Sequence, residues 1–240
     1  MKYLWRLFLY LFFFFIAFSV VSVALLRFLP VTVTPLKVIR MTEKEGAGLK
    51  VKTRWYPLEE IAPVMARAVV TTEDNRFLTH SGFDFEAIEK ALEHNRQGKR
   101  LRGASTISQQ TAKNVFCLPD RTWVRKGIEA YFTVLIEGMW GKRRIMEVYL
   151  NVIETHPGVY GVGAASEIFY GKPPSRLNVY EAWMLATVLP NPFRMNLEAP
   201  SSYMVNRAAR VRRYMSNLGE IDFDRPAAAP EEKRKVSGKE

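Results

Sequence analysis

Cysteine and histidine are both scarce in this chain. Cys117 is the single cysteine, so no internal disulfide can form, and the three histidines show no spacing typical of a zinc site. Acidic residues are fewer than basic ones, 24 against 35, which gives a formal net charge of +11. This charge favours an anionic partner, and nucleic acid, anionic lipid and a phosphorylated substrate all fit that description.

Charged residues are missing altogether from residues 7–26. A helix of twenty residues is about 30 Å long, which matches the apolar core of a bilayer. A signal peptide has a shorter apolar core that ends at a small-residue cleavage site, and Ser22 and Ala24 resemble one only weakly before Leu25 continues the run. We therefore predict an uncleaved transmembrane anchor at 7–26 that follows a short cytoplasmic segment, 1–6. Basic residues flank the anchor on both sides, so charge alone leaves its orientation open.

The rest of the chain divides by pattern into three parts. Short alternating runs predict a linker or extended segment at 27–57. Apolar residues then recur every three or four positions, which predicts one mainly helical domain at 58–220. The end of the chain, 221–240, is rich in Ala, Pro, Lys and Glu, and we predict that it is disordered. The clearest helices are predicted at 105–115, 123–139, 144–152, 163–170, 179–189 and 204–218.

Local signals add detail to this pattern. Residues 45–48 predict a turn, Asp84 is predicted to cap a further helix, and Asn178 with Glu181 has capping-box spacing at the start of the helix at 179–189. The helix at 123–139 is predicted to bury one apolar stripe: Val124, Ile128, Tyr131, Leu135 and Met139.

Glu73 is the first candidate for chemistry. It follows Met65 and Val69 at helical spacing, so it shares the buried side of its helix, while Asp74 is turned away by about 100°. Burial raises the pKa of a carboxyl group, which would let Glu73 accept a proton near neutral pH as a general base. A capping or salt-bridged surface pair is the alternative. His80, at a predicted helix end, is interpreted as a structural hydrogen-bonding residue.

Two neighbouring polar stripes run along the helix predicted at 105–115. The members of each stripe are four residues apart, so they lie on one side of the helix. Such stripes predict the wall of a polar cleft, although an ordinary solvated helix has the same pattern. Gly103 and Ala104 leave the helix start open, so its N–H groups could also hold a phosphate. The stripes are Ser105, Gln109 and Lys113, and Thr106, Gln110 and Asn114.

A third candidate is the series Arg121, Arg125 and Glu129, with Lys126 beside it. Arginines at four-residue spacing can bind a diphosphate in bidentate fashion. Glu129 could orient these arginines or hold a divalent ion. An exposed ladder of ion pairs has the same spacing and remains the alternative.

Taken in order along the chain, these motifs resemble those of the bacterial peptidoglycan glycosyltransferases, glycosyltransferase family 51, and in particular its monofunctional, membrane-anchored members. Two further blocks strengthen the resemblance, and together the motifs cover about half of the chain. The motifs are 73–84, 103–114, Arg125 with Lys126 and Glu129, 145–151 and 161–172.

The resemblance implies a mainly α, lysozyme-like glycosyltransferase domain behind a single N-terminal transmembrane helix. It implies lipid II as the substrate, and a catalytic domain on the periplasmic or outer face of the bacterial plasma (inner) membrane. The growing glycan strand would be a second partner, and other cell-wall synthesis proteins are further candidates. We expect no nucleic-acid partner and no organic cofactor.

The resemblance also assigns roles to residues. Glu73 matches the catalytic base, which deprotonates the GlcNAc 4-hydroxyl of the acceptor as it attacks the anomeric carbon of the donor with inversion. The donor is the growing chain on undecaprenyl diphosphate. Glu129 matches a second essential carboxylate, associated in the family with a divalent metal, Mg or Mn. Three positions match residues that neutralise the departing diphosphate: Lys113, Arg121 and Arg125. Five match positions that line the cleft: Ser105, Gln109, Gln110, Asn114 and Lys172.

Three positions depart from the family pattern. Ala104 stands where many members have a second glycine, Ser108 replaces the commoner threonine, and Gly163 stands where an acidic residue is frequent. None of these changes removes a charge assigned to catalysis. The apolar stretch 115–118 with Trp123 falls where the family has a mobile jaw that touches lipid, and packing in the core is the alternative for these residues.

Two other functions remain open from the sequence. A lysozyme-like lytic transglycosylase can also work with one buried glutamate, but it has no need of cations around a leaving diphosphate. A membrane-tethered binding protein for anionic polymers would explain the net charge without catalysis. The sequence contains neither Ser-x-x-Lys nor Lys-Thr-Gly, so we expect glycan polymerisation without crosslinking.

Overall fold

Helices make up most of the computed structural model, which describes residues 1–44, 51–98, 103–120, 122–218 and 221–223. The predicted turn at 45–48, Arg121 and residues 224–240 of the segment predicted to be disordered, 221–240, lie outside these ranges. The mainly α fold class is confirmed. The helices are α1 (Lys2–Leu26), α2 (Pro35–Lys44), α3 (Pro63–Glu73), α4 (Phe85–Arg96), α5 (Ile107–Phe116), α6 (Trp123–Met139), α7 (Gly141–Val152), α8 (Val162–Tyr170), α9 (Val179–Val188) and α10 (Ser202–Leu218).

Helix α1 is long and apolar enough to cross a membrane, as its composition predicted. Most of its side chains are exposed, but Ser19 and Val23 are buried against the domain. The hydroxyl groups of Ser19 and Tyr131 lie 2.6 Å apart, and the indole N–H of Trp140 donates to the carbonyl of Val23 at 2.7 Å. The last turns of the apolar helix are therefore bonded to the helical domain.

Helix α2 was not predicted, because 27–57 was expected to be an extended linker. The helix begins with Pro35, whose fixed φ suits a first helical position, and Thr34 Oγ1 accepts a hydrogen bond from the N–H of Lys37 at 3.3 Å. Lys37 is buried, and its ammonium group donates to Thr53 Oγ1 at 3.0 Å. The described part of this segment thus contains a helix of ten residues as well as extended stretches.

Three short strands form the one sheet of the described residues. Strand β1 (Lys52–Thr53) pairs in parallel with β3 (Val159–Tyr160), and β3 pairs in antiparallel fashion with β2 (Glu154–His156). Next to this sheet, the side chain of Asn151 bonds both the N–H and the carbonyl of Tyr56, each at 2.8 Å. These contacts tie the chain that follows the anchor to the end of α7.

The hydrophobic core lies around α5, which packs between α6 and α7, while α3 packs against α9 and α10. Helix α6 has the predicted bounds, but its buried face is different from the predicted one. Val124 is exposed, and the fully buried residues are Glu129, Phe132, Thr133 and Ile136. The rest of the predicted stripe is only half-buried and packs at the margin of the core: Ile128, Tyr131, Leu135 and Met139.

Candidate active site

Glu73 ends α3 and lines a polar cleft of about 330 Å3. Its side chain is half-buried, and its two carboxylate oxygens differ. Oε2 accepts a hydrogen bond from Gln110 Nε2 at 3.2 Å. Oε1 is buried and has no hydrogen-bond partner among the described residues. The bond from Gln110 therefore holds one oxygen in place and leaves the other without a partner in the described structure.

Burial is the largest influence on Glu73, and it raises the pKa of the carboxyl group. The neighbouring charge of Asp74 also raises this pKa. The hydrogen bond from Gln110 and the positive charges of Arg207 and Lys113 lower it, but they do not offset the burial. A carboxyl group with a raised pKa is a stronger base than ordinary glutamate, as a proton acceptor in catalysis must be.

Asp74 has a structural role although it adjoins Glu73. Its buried carboxylate accepts the N–H of His80 Nε2 at 2.9 Å and the backbone N–H of Ile107 at 3.0 Å. The other ring nitrogen of His80 accepts the N–H of Gly82, which fixes the proton of a neutral ring on Nε2. The structural interpretation of His80 is confirmed. Asp74 thus joins the end of α3 to the start of α5.

The start of α5 is capped by side chains of its own segment. Thr106 is the N-cap: its hydroxyl accepts the N–H of Gln109 at 3.1 Å, and Gln109 Oε1 accepts the N–H of Thr106 at 3.0 Å. With Asp74 on the N–H of Ile107, these contacts occupy donors that were predicted to hold a phosphate, so that prediction is wrong. Ser105 precedes the cap and lines the same cleft as Glu73.

Several polar side chains of α5 are buried below the cleft. Gln109 is taken up by the capping box, and Ser108 donates to Glu137 on α6. Asn114 is buried, and its Nδ2 has no partner among the described residues. A substrate role for Gln109 and Asn114 stays a prediction, but the geometry gives Gln109 a structural one.

The cationic part of the site lies on α5 and α6. Glu129, which is 2% exposed, accepts Arg125 Nη1 at 2.6 Å on one oxygen and the ammonium group of Lys126 on the other. Lys113 faces this group from α5. Water reaches Lys113, yet the surrounding protein desolvates its ammonium group, and this lowers its pKa more than the attraction of Glu129 raises it. The structure therefore brings Lys113, Arg125 and Glu129 together.

A divalent metal does not fit at Glu129. Both of its oxygens are already ion-paired with Arg125 and Lys126, and a metal would have to displace these two cations. No group of three or more His, Cys, Asp or Glu side chains in the described ranges could hold a metal ion. The described residues therefore offer no metal site made of such side chains alone, and the metal predicted from the resemblance stays a prediction.

One predicted residue stands apart from the others, and two relevant residues were missed. Lys172 forms an ion pair with Glu181 at 2.6 Å, at the start of α9. Arg207, on α10, acts on Glu73 through its charge, and Tyr149, on α7, donates to Gln110. Neither residue could be identified from helical spacing in the sequence, because each lies on a helix far from α3 along the chain. Only the folded structure brings these helices close to Glu73.

An apolar groove of about 580 Å3 lies between α1 and the junction of α5 and α6. Phe15 and Phe18 of α1 form one side of the groove, and Phe116 and Phe132 form its domain side. Arg125 also lines the groove. The groove therefore runs from the apolar anchor to the cationic part of the site.

These features are those of a helical enzyme whose N-terminal helix is long and apolar enough to cross a membrane, and comparison with known sequences narrows this class. The family profile described as Transglycosylase matches residues 40–216. This range covers most of the chain and contains every candidate site residue. The chain belongs to the transglycosylase family.

Proteins named biosynthetic peptidoglycan transglycosylase are similar to this chain over most of its length. That of Bdellovibrio bacteriovorus is 56% identical over 193 residues, which cover 79% of this chain and 76% of the relative. That of Aeromonas hydrophila is 48% identical over 207 residues, 86% of this chain and 88% of the relative. That of Bacteroides thetaiotaomicron is 45% identical over 229 residues, 95% of this chain and 90% of the relative.

Proposed function

We propose that this enzyme is a peptidoglycan glycosyltransferase that polymerises lipid II into glycan strands. The observation that carries the proposal is the carboxylate of Glu73. One of its oxygens is fixed by Gln110 and the other is buried and unpartnered in a polar cleft of the described structure. The family match and the names of the relatives support the same reaction.

In the proposed reaction, Glu73 Oε1 takes the proton of the GlcNAc 4-hydroxyl of the acceptor. The hydroxyl oxygen attacks the anomeric carbon of the donor, and the bond from that carbon to the undecaprenyl diphosphate breaks on the opposite face. The anomeric centre is therefore inverted. The raised pKa of Glu73 makes this proton transfer easier than transfer to an ordinary glutamate.

Lys113 and Arg125 are proposed to stabilise the diphosphate as it leaves. Arg125 can present a planar guanidinium to phosphate oxygens while Glu129 holds it in place. Since the pKa of Lys113 is lowered by desolvation, a bound dianion would favour its charged form. Arg121 is proposed to join them on the basis of the resemblance alone. No step is assigned to a divalent metal.

The undecaprenyl tail is proposed to lie in the apolar groove beside α1. The groove connects the anchor helix with Arg125, so a tail in the membrane and a diphosphate at the cations can belong to one molecule. The catalytic domain would then lie against the outer face of the plasma membrane. Binding to other cell-wall synthesis proteins stays a prediction.

The test is incubation of the purified full-length protein with labelled lipid II, followed by gel separation of the products. The proposal expects long glycan strands, both with added magnesium and with a chelator. If the protein makes no glycan from lipid II but cleaves preformed glycan in a parallel incubation, the result would support the lytic alternative instead. Binding of lipid II without any product would support the alternative that the chain is a binding protein.

A further inference from the structure

Tyr149 lies in the last turn of α7 and is 0% exposed. A buried tyrosine hydroxyl usually has a hydrogen-bond partner, because leaving it without one costs free energy. Here the hydroxyl donates to Gln110 Oε1 at 3.3 Å. Gln110 is also the residue that donates to Glu73, so the three side chains form a chain of hydrogen bonds.

The side-chain amide of Gln110 has two different ends, and its orientation decides what Glu73 meets. With Oε1 on the Tyr149 hydroxyl, Nε2 points to Glu73 Oε2. If the amide turned over, its oxygen would lie against the carboxylate oxygen and repel the ionised form. A hydrogen bond donated to a carboxylate favours its charged state.

We propose that Tyr149 is a positioning residue for the reaction: its hydroxyl holds the Gln110 amide in the orientation that stabilises ionised Glu73 and leaves Oε1 free for the acceptor hydroxyl. The inference deepens the proposed function and rests on it, since it requires Glu73 to be the base. Tyr149 itself does not touch the substrate.

The groups around Glu73 make this inference testable by pH. Asp74 adjoins it on the same chain segment, Lys113 faces it from α5, and Arg207 faces it from α10. All of these charges remain when the Tyr149 hydroxyl is removed. A change in the pH at which Glu73 becomes active therefore reports the hydrogen-bond chain rather than a change in charge.

The experiment is a double-mutant cycle on the full-length protein with labelled lipid II, using Tyr149→Phe, Gln110→Met and the double variant. One hydrogen bond is lost in Tyr149→Phe, so the acid limb of kcat/KM should move up by about half a pH unit and kcat/KM measured on that limb should fall about threefold. Activity should recover at higher pH. Gln110→Met should lose about tenfold, and adding Tyr149→Phe to it should change nothing further.

Tyr160→Phe is the matched control, because Tyr160 is a buried tyrosine on β3 whose charged neighbours are Glu154 and Arg40 rather than Glu73. Its acid limb should stay at the wild-type position. The position of the limb does not depend on how much protein is folded, so partial unfolding of Tyr149→Phe leaves the test intact.

The inference is overturned if Tyr149→Phe keeps the wild-type acid limb, or if it costs the same factor with Met at position 110 as with Gln. These results are distinct from failure of the proposed function. If the wild type makes no glycan, the function fails; if the wild type polymerises and Glu73→Gln does not, an unchanged limb in Tyr149→Phe refutes only the role of Tyr149.

Discussion

Two helices of the site, α3 and α6, each carry a carboxylate that the protein shields from bulk water, but the partners of the two carboxylates differ. On α6, both oxygens of Glu129 are ion-paired with Arg125 and Lys126. On α3, Glu73 has one neutral donor, Gln110, and one unpartnered oxygen within the described structure. The difference shows that burial alone does not make a base. A carboxylate needs both desolvation and a free oxygen, and Glu73 has them.

The largest expected effect comes from removing the base. Glu73→Gln keeps the shape of the side chain but cannot accept the proton, so kcat should fall about a thousandfold, within the range of general base catalysis. Gel analysis of lipid II products measures this loss. Glu86→Gln is the control, because Glu86 lines the same cleft but is exposed. Long glycan from Glu73→Gln would remove the base assignment and the mechanism with it.

Removing the charge of Glu129 on α6 should reduce both activity and stability. Glu129→Gln leaves Arg125 without its carboxylate at a buried position, so kcat/KM should fall about a hundredfold and unfolding should need about 3 kcal/mol less free energy. Kinetics and denaturant titration measure the two effects. Glu137→Gln is the matched control, because Glu137 lies on the same helix and forms an ion pair with Lys142. It should lose stability with little loss of activity, and equal kinetic losses in both variants would contradict the special role of Glu129.

The neighbour of the base should behave as a structural residue. Asp74→Asn places an amide donor near the donors of His80 and Ile107, so the free energy of unfolding should fall by about 2 kcal/mol. Asp84→Asn should lose much less, because asparagine also caps helices well and Asp84 is the N-cap of α4. Thermal or denaturant unfolding compares the two. A stable Asp74→Asn variant would show that Asp74 does not join α3 to α5.

The smallest expected effect concerns the start of α5. Thr106→Val removes the capping hydroxyl at nearly constant volume and should cost about 1 kcal/mol of stability. Thr71→Val is the control, because the Thr71 hydroxyl only bonds a carbonyl within its own helix. Denaturant unfolding of both variants measures the difference. If the two lose the same amount, the capping box does not hold the start of α5.

Local signals in the sequence predicted much of the fold. The bounds of α6, the Asp84 cap and the box of Asn178 with Glu181 all follow from side chains that bond their own backbone, so they need no knowledge of the rest of the chain. The same kind of signal was overlooked twice. Thr34 before Pro35 marks the start of α2, and Thr106 with Gln109 forms a capping box.

The site was less predictable, because its geometry depends on contacts between distant helices. Helical spacing put Glu73 on a buried face, but the groups that orient its carboxylate or shift its pKa come from α5, α7 and α10. Asp74 was expected only to turn away from Glu73. Its bond to the N–H of Ile107 depends on how α5 packs, which no pattern near Asp74 reveals.

The most direct measurement is the pH dependence of kcat/KM for the wild-type enzyme with lipid II. This quantity reports the ionisation of the free enzyme, and the base must be deprotonated to act. Because burial raises the pKa of Glu73, the acid limb should have its midpoint above the ordinary glutamate value of 4.5. A midpoint at or below that value would contradict the claim that a desolvated Glu73 is the base.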